Sequence, residues 1–216
     1  MKYKIVIFDL DGTLLDTLQD LADSTNFALK QMGYPLRTLD EIRRFVGNGV
    51  AKLIERALPE DTSENIVAKT LHIFKTHYAE NCENHTQPYD GILPLLDTLR
   101  QREIPVAVVS NKLDSAVKSL CKKYFGDRIC LALGDRDGIA RKPSPDSVLS
   151  VLREMHMHAN DAVYIGDSEV DIQTAKNAKT DLICVTWGFR EKDFLAEQGA
   201  STFANTVLEL EKMLIL

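Results

Sequence analysis

A short apolar run that ends in two carboxylates constrains this chain most. Ile5-Val6-Ile7-Phe8 is continuously apolar rather than alternating. A strand with no polar face belongs inside a parallel sheet that is covered on both sides. The run stops at Asp9-Leu10-Asp11-Gly12-Thr13. A spacing of two predicts that both acids lie on one side of an extended segment. Gly12 then permits a turn that a Cβ would resist. In open α/β sheets, ligands bind beyond the carboxyl ends of the strands, where these acids fall. Two neighbouring carboxylates repel unless a cation or a proton separates them, and oxygen-rich sites favour Mg²⁺. The stretch therefore predicts a metal-assisted site. The alternative is a helix N-cap supplied by Asp11 or Thr13.

Residues 17–84 then change character. Leu18, Leu21, Ala22, Ala28, Leu29 and Met32 recur at helical spacing, and Gly33-Tyr34-Pro35 ends that helix. Ile42, Phe45 and Val46 mark a second helix, which Gly47-Asn48-Gly49 breaks. Val50, Leu53, Ile54 and Ala57 mark a third, and Val67, Leu71, Phe74 and Tyr78 a fourth. No strand pattern interrupts them. The expectation is a small antiparallel α-helical bundle, residues 16–85, inserted after the first strand. The core would be residues 1–15 and 86–216. In that second stretch, strands are predicted at 104–109, 129–133, 162–165 and 182–185, with helices between them. A helix after Glu191, a short strand at 201–203 and a last helix follow. This alternation predicts an α/β fold, a doubly wound, Rossmann-like parallel sheet.

Composition narrows the function. The 216 residues suit one large domain or two small ones, and 44% apolar with 27% charged content is that of a soluble globular protein. A net charge of −6 without a basic tract argues against a nucleic-acid partner. The N-terminal apolar run is too short for a signal-peptide core or a membrane span. Cys82, Cys121, Cys130 and Cys184 contain no Cys-x-x-Cys pair and read as reduced thiols. A cytoplasmic protein with no membrane partner is expected. Nothing in the sequence selects between monomer and homodimer.

Four places repeat one geometry, a buried strand followed by a polar group at or just beyond its carboxyl end. They are Asp9 with Asp11, Ser110 with Asn111, Lys142, and Asp167 with Asp171. In a parallel sheet all four converge on one rim. Each has an ordinary alternative: Ser110 and Asp167 as N-caps, Lys142 as a solvated loop lysine, Asp171 as a helix-surface acid. Their occurrence together and in order favours the shared site.

With those residues in place, the chain resembles the haloacid dehalogenase superfamily of phosphatases over essentially its whole length. Asp9-Leu10-Asp11-Gly12-Thr13 is similar to that family's first motif, Ser110 with Asn111 to its second, Lys142 to its third, and Gly166-Asp167-Ser168-Glu169-Val170-Asp171 to its fourth. The helical insert resembles the family's cap. Within the superfamily, Phe45-Val46-Gly47-Asn48-Gly49 resembles phosphoglycolate phosphatases. The resemblance implies Mg²⁺-dependent hydrolysis of a small phosphorylated metabolite. Asp9 would be the nucleophile that forms an aspartyl-phosphate, and Asp11 the acid/base. Mg²⁺ would be held by Asp9, the Asp11 backbone carbonyl and Asp167, with Asp171 in support. Lys142 would stabilise the nucleophile and the phosphoryl group, while Ser110 and backbone N–H groups near Asn111 bind phosphate oxygens.

The resemblance also orders the alternatives. Dehalogenases and phosphonoacetaldehyde hydrolases of the superfamily lack an acid where this chain has Asp11, which favours a phosphomonoester. β-Phosphoglucomutases carry a His where this chain has Leu21, which disfavours mutase activity. Phosphatases of sugar phosphates, nucleotides or pyrophosphate are the same-class alternative, and a non-catalytic phosphate-binding protein is the alternative from another class. In the cap, Gly47, Asn48 and Gly49 are the expected specificity residues. Two glycines flanking Asn48 let a backbone approach a small ligand closely; a plain helix–helix turn is the other reading. Arg43 and Arg44 stand at pairing distance from Asp40 and Glu41, as on a solvated helix face. His72, His77, His156 and His158 lack a ligand set for zinc. Trp187-Gly188-Phe189-Arg190 either borders the site or packs a loop.

Overall fold

The computed structural model describes residues 2–215. Packing divides the chain into two units, Met1–Leu15 with Pro88–Leu216, and Asp16–Gln87. The chain opens with β1 (Ile5–Phe8) and β2 (Leu15–Asp16), and continues into α1 (Leu18–Gln31), α2 (Leu39–Phe45), α3 (Val50–Ala57) and α4 (Glu64–Asn81). It returns through β3 (Gln87–Pro88) to α5 (Ile92–Gln101), β4 (Val106–Leu113), α6 (Asp114–Phe125), β5 (Leu131–Asp135) and α7 (Asp146–Glu154). It ends with β6 (Ala162–Gly166), α8 (Glu169–Ala178), β7 (Asp181–Val185), α9 (Lys192–Glu197), β8 (Phe203–Ala204) and α10 (Val207–Ile215).

The first unit is built on a parallel sheet of order β5-β4-β1-β6-β7-β8. β1 sits inside it because all of its residues are apolar and buried. Alternate residues serve opposite faces. Val6 and Phe8, with Val106, Val108, Val163 and Ile165, pack with Leu95, Leu96 and Leu99 of α5 and Leu120 of α6. Ile5 and Ile7, with Ala107, Val109 and Tyr164, pack with Val148 and Val151 of α7 and Ala175 of α8. Each large apolar side chain buried this way contributes about 1.5–3 kcal/mol.

The chain runs outward from β1 to β4 and β5 on one side, then crosses to β6 on the other. β1 thus marks the switch in strand order, where the carboxyl edge of such a sheet opens a crevice. Register sets what meets there. Phe8 lies opposite both Val108 and Ile165, so the residues just beyond β1, β4 and β6 arrive together.

Three local features differ from the expectation. β1 ends at Phe8, and Asp9 N–H extends the ladder by one bond to Ile165 O at 2.8 Å. The chain then coils, with Leu10 O accepting from Leu14 N and Leu15 N, both at 3.0 Å. Asp9 and Asp11 therefore do not share one side of an extended strand. Gly12, at φ +82°, makes that tight turn possible. β4 runs past the expected 109 to Leu113, with a register shift against β5 between Val109 and Leu113. β5 begins at Leu131 rather than 129; the turn Gly126–Arg128 precedes it, and Cys130 N–H leads into the pairing with β4 through a 2.9 Å bond to Val106 O.

The second unit holds α1 to α4, with α1 packed chiefly on α4. Its buried apolar residues include Leu21, Ala28, Leu29, Ile42, Leu53, Ile54 and Phe74. Thr38 caps α2 reciprocally with Glu41: Thr38 Oγ1 accepts from Glu41 N at 3.2 Å, and Glu41 Oε2 from Thr38 N at 2.8 Å. The buried Asp20 carboxylate accepts from His85 N, Thr86 N and Thr86 Oγ1 at 2.8–2.9 Å, which ties the start of α1 to the returning chain. Between α2 and α3, Gly47, Asn48 and Gly49 all have positive φ, at 122°, 61° and 85°. Arg56 Nη1 donates to Phe45 O at 2.8 Å and Gly47 O at 3.3 Å, bracing that turn. Where the chain passes between the units, β2 pairs with β3. Among the described residues no helix is long and apolar enough to cross a membrane.

Candidate active site

The carboxyl edge around β1 collects Asp9, Ser110, Asn111, Lys142, Asp167 and Asp171 in the first unit, and all but Asn111 are buried. Oxygens of Asp9, Asp167 and Asp171 lie within 4.8 Å of one another. Lys142 Nζ stands among them, 2.8 Å from Asp9 Oδ1 and 2.8 Å from Asp171 Oδ1. Asp9 Oδ1 also accepts from Leu10 N at 2.7 Å. Lys142 is only 6% exposed, so it is no solvated loop lysine. Burial works against its charge, but Asp171 and Asp9 outweigh burial and hold it well above the ordinary lysine value.

Asp171 is fully spent on neighbours. Its Oδ1 accepts from Lys142 Nζ and from Tyr164 Oη at 3.2 Å. Its Oδ2 accepts from Ser168 N at 3.1 Å and Ser168 Oγ at 2.5 Å, so it doubles as a capping residue of α8. Asp167 Oδ1 accepts from Thr13 Oγ1 at 3.0 Å, and Oδ2 from Phe189 N at 2.7 Å. Burial, then the charge of Asp171, pushes Asp167 up to about 7. Asp9 rises well above the carboxylate range for the same reasons, with Lys142 opposing.

Three buried carboxylates against one lysine leave an excess of negative charge. Oxygen donors of this kind suit a hard divalent cation, which would lower both raised values. Glycines make room for the cluster: a Cβ on Gly12 or on Gly188 would lie 2.4 Å from Asp167 Oδ2. The donor set thus fits a divalent metal through Asp9 and Asp167, with Asp171 holding Lys142 in place.

Asp11 is placed differently. Its carboxylate stands outside that trio and takes Lys112 Nζ at 2.9 Å. Ser110 is buried and its Oγ accepts from Lys112 N at 3.2 Å. The Asn111 carboxamide is turned to Lys142: Oδ1 accepts from Lys142 N at 2.8 Å and Nδ2 donates to Lys142 O at 2.9 Å. The side chain of Asn111 is thus committed to the lysine loop rather than offered to a phosphate. Gly47, Asn48 and Gly49 belong to the second unit.

Sequence reasoning did not reach Lys112 or Tyr164, and it placed Thr13 in the first motif or at an N-cap without its bond to Asp167. Tyr164 carried a signal, as a tyrosine in a wholly buried strand needs a partner for its hydroxyl. It finds Lys142 Nζ at 3.1 Å. The stretch after β7 proves to border the site: Gly188 and Phe189 abut Asp167, and Trp187 Nε1 donates to Thr13 O at 3.1 Å.

Comparisons with known proteins agree with this geometry. The family model for haloacid dehalogenase-like hydrolases matches residues 6–185. A phosphoglycolate phosphatase of Mesorhizobium japonicum is 33% identical over 224 residues, covering 100% of this chain and 98% of that protein. One from Aquifex aeolicus is 33% identical over 191 residues, 86% of each. A crystal structure from Lactobacillus delbrueckii subsp. bulgaricus, assigned provisionally as a phosphoglycolate phosphatase, is 39% identical with a TM-score of 0.96 and covers 99% of this chain and 98% of that one. The sheet, the ordered acids on its carboxyl edge and these likenesses lead to one conclusion: the chain belongs to the haloacid dehalogenase-like hydrolases.

Proposed function

We propose that this phosphomonoester hydrolase is a Mg²⁺-dependent phosphatase of 2-phosphoglycolate, working through a phosphorylated Asp9. The observation that carries the reaction is the buried Asp9–Lys142–Asp171 contact beside Asp167 at the switch of the sheet. The substrate rests on the relatives' names and on identity across nearly the whole chain.

Asp9 attacks phosphorus in line, and the bond to the leaving oxygen breaks. Asp11 gives that oxygen a proton, then takes one from the water that attacks the phosphorylated Asp9. Lys142, fixed by Asp171 and Tyr164, sets its charge against Asp9 and the transferring phosphoryl oxygens. Ser110 donates its hydroxyl proton to one of those oxygens while its Oγ accepts from Lys112 N. Asp9, Asp167 and the Asp11 carbonyl would hold Mg²⁺, which would supply neutralising charge for the phosphoryl group. Asp171 serves the site by holding Lys142. In the cap, Gly47, Asn48 and Gly49 select the leaving group. The cytoplasm is the fitting compartment, since Cys82, Cys121, Cys130 and Cys184 form no disulfide.

The test is kcat/KM for 2-phosphoglycolate against a panel of sugar phosphates, nucleotides and pyrophosphate, each with Mg²⁺ and with EDTA. The reading expects 2-phosphoglycolate to lead and EDTA to abolish turnover. A different leader would reassign the substrate; turnover that survives EDTA would remove the metal.

A further inference from the structure

The irregular stretch of β4 delivers a lysine to Asp11. Lys112 follows Ser110 and Asn111 inside the register shift between Val109 and Leu113. Bulges of this kind re-aim side chains beside active sites. The Lys112 N–H bonds back to Ser110 Oγ at 3.2 Å, and its Nζ reaches Asp11 Oδ1 at 2.9 Å. The Lys112 and Asp11 side chains are only 7% and 19% exposed, which is unusual for a lysine. A pair this sheltered adds little net stability, because desolvation offsets its attraction. What it fixes is geometry.

The backbone of Asp11 is already held, by its bridge to Leu15 and by the bonds that Leu10 O accepts. The side-chain torsions are what remain, and Lys112 sets them. An ammonium group has donors and no acceptor. Oδ1 therefore accepts from Lys112, and a proton on the Asp11 carboxyl sits on Oδ2.

We propose that Lys112 is a positioning residue that anchors Asp11 through Oδ1 and reserves Oδ2 for proton exchange with the leaving group and then with water. This rests on the acid/base reading of Asp11 given above. In the first half-reaction an Asp9 oxygen bonds to phosphorus, and the bond to the leaving oxygen breaks with its electron pair. That oxygen takes the proton from Asp11 Oδ2. In the second, a water oxygen bonds to phosphorus and gives its proton to Oδ2, while the bond to Asp9 breaks and its electrons return to the carboxylate.

The experiment measures kcat/KM of the Mg²⁺-loaded enzyme with two substrates. Glycerol 2-phosphate has a poor, uncharged leaving alcohol that needs a proton; p-nitrophenyl phosphate has a good leaving group that does not. Lys112→Met should lower kcat/KM for glycerol 2-phosphate about 10–100-fold and for p-nitrophenyl phosphate less than about 3-fold, since only the first needs an aligned acid. Lys112→Arg, which keeps a donor, should recover most of the loss. Should Lys112→Met fold poorly, Lys112→Ala, which also lacks a donor, should show the same substrate split. On an Asp11→Asn background, Lys112→Met should change nothing further. Equal losses on both substrates, or a full additional loss in the double variant, would overturn the inference while leaving Asp11 as acid/base. An Asp11→Asn enzyme that treats the two substrates alike would overturn the reading of Asp11, and this inference with it.

Discussion

Asn111 and Lys142 exchange two hydrogen bonds, the carboxamide of one closing on the backbone of the other at 2.8 and 2.9 Å. The pair joins β4 to the loop after β5 and fixes the root of the side chain whose Nζ meets Asp9 and Asp171. Asn111→Ala should therefore lower kcat about 10–100-fold through misplacement of Lys142. It should also cost about 1–3 kcal/mol of stability, from two lost bonds and the groups left without them. Steady-state kinetics and a denaturant melt measure the two. Lost stability with an unchanged kcat would make Asn111 a loop brace only.

Asp9→Asn keeps the shape of the side chain and removes its charge. The amide can neither attack phosphorus nor pair with the buried Lys142. Turnover should fall at least ~10³-fold, and no acid-stable phosphate should remain on the protein after exposure to substrate. Circular dichroism would confirm the fold. Near-normal turnover by a folded Asp9→Asn enzyme excludes Asp9 as the nucleophile.

The raised carboxylates make a prediction about pH. Asp167, at about 7, and Asp9, well above the carboxylate range, bind more protons in the folded chain than in the unfolded one between roughly pH 4 and 7. The cluster's contribution to folding stability therefore falls as pH rises through that window. A divalent cation needs both groups ionised, so its binding releases protons and strengthens with pH. The Tm gain on adding Mg²⁺ should accordingly be larger at pH 8 than at pH 6, and Asp167→Asn should abolish most of the difference. Thermal melts in EDTA and in Mg²⁺ at both pH values provide the measurement. A gain independent of pH would place the cation elsewhere.

The sheet was readable because its strands are apolar without interruption and its helices carry regular stripes; those patterns are local. Ile5 to Phe8 announces a doubly covered strand in four residues. The acids beyond it were readable as well, being two carboxylates where a sheet binds ligands. What the sequence hid depends on chain closure. Asp167 meets Thr13 across 154 positions, and Lys112 meets Asp11 across 101. Local spacing carries no trace of such pairs. The coil after Phe8 was misread for a related reason: alternation describes a strand only while the ladder continues, and here Leu10 O gathers the following N–H groups instead. The bonds between the Asn111 carboxamide and the Lys142 backbone, 31 residues away, were hidden in the same way.

The last prediction concerns the turn between α2 and α3. The acids of the core engage features that every phosphomonoester shares, so preference among substrates must arise where the leaving group is contacted. The helical unit Asp16–Gln87 is the chain's second unit, and three consecutive positive φ values set its Gly47-Asn48-Gly49 turn apart from an ordinary helix connection. Arg56 holds the turn through the carbonyls of Phe45 and Gly47, so its shape is built rather than incidental. Gly47→Val places a β-branched side chain at φ 122°, a backbone it rarely adopts, and should distort the turn. Asn48→Gly keeps the left-handed conformation and removes only the carboxamide. If the turn selects the leaving group, Gly47→Val should reduce kcat/KM for 2-phosphoglycolate at least ~10-fold while p-nitrophenyl phosphate changes less than about 3-fold. Asn48→Gly then divides the effect: a loss as large as that of Gly47→Val assigns recognition to the carboxamide, whereas a small loss assigns it to the backbone N–H groups. Parallel changes on both substrates would reduce the turn to a connector and leave the source of selectivity elsewhere in the chain.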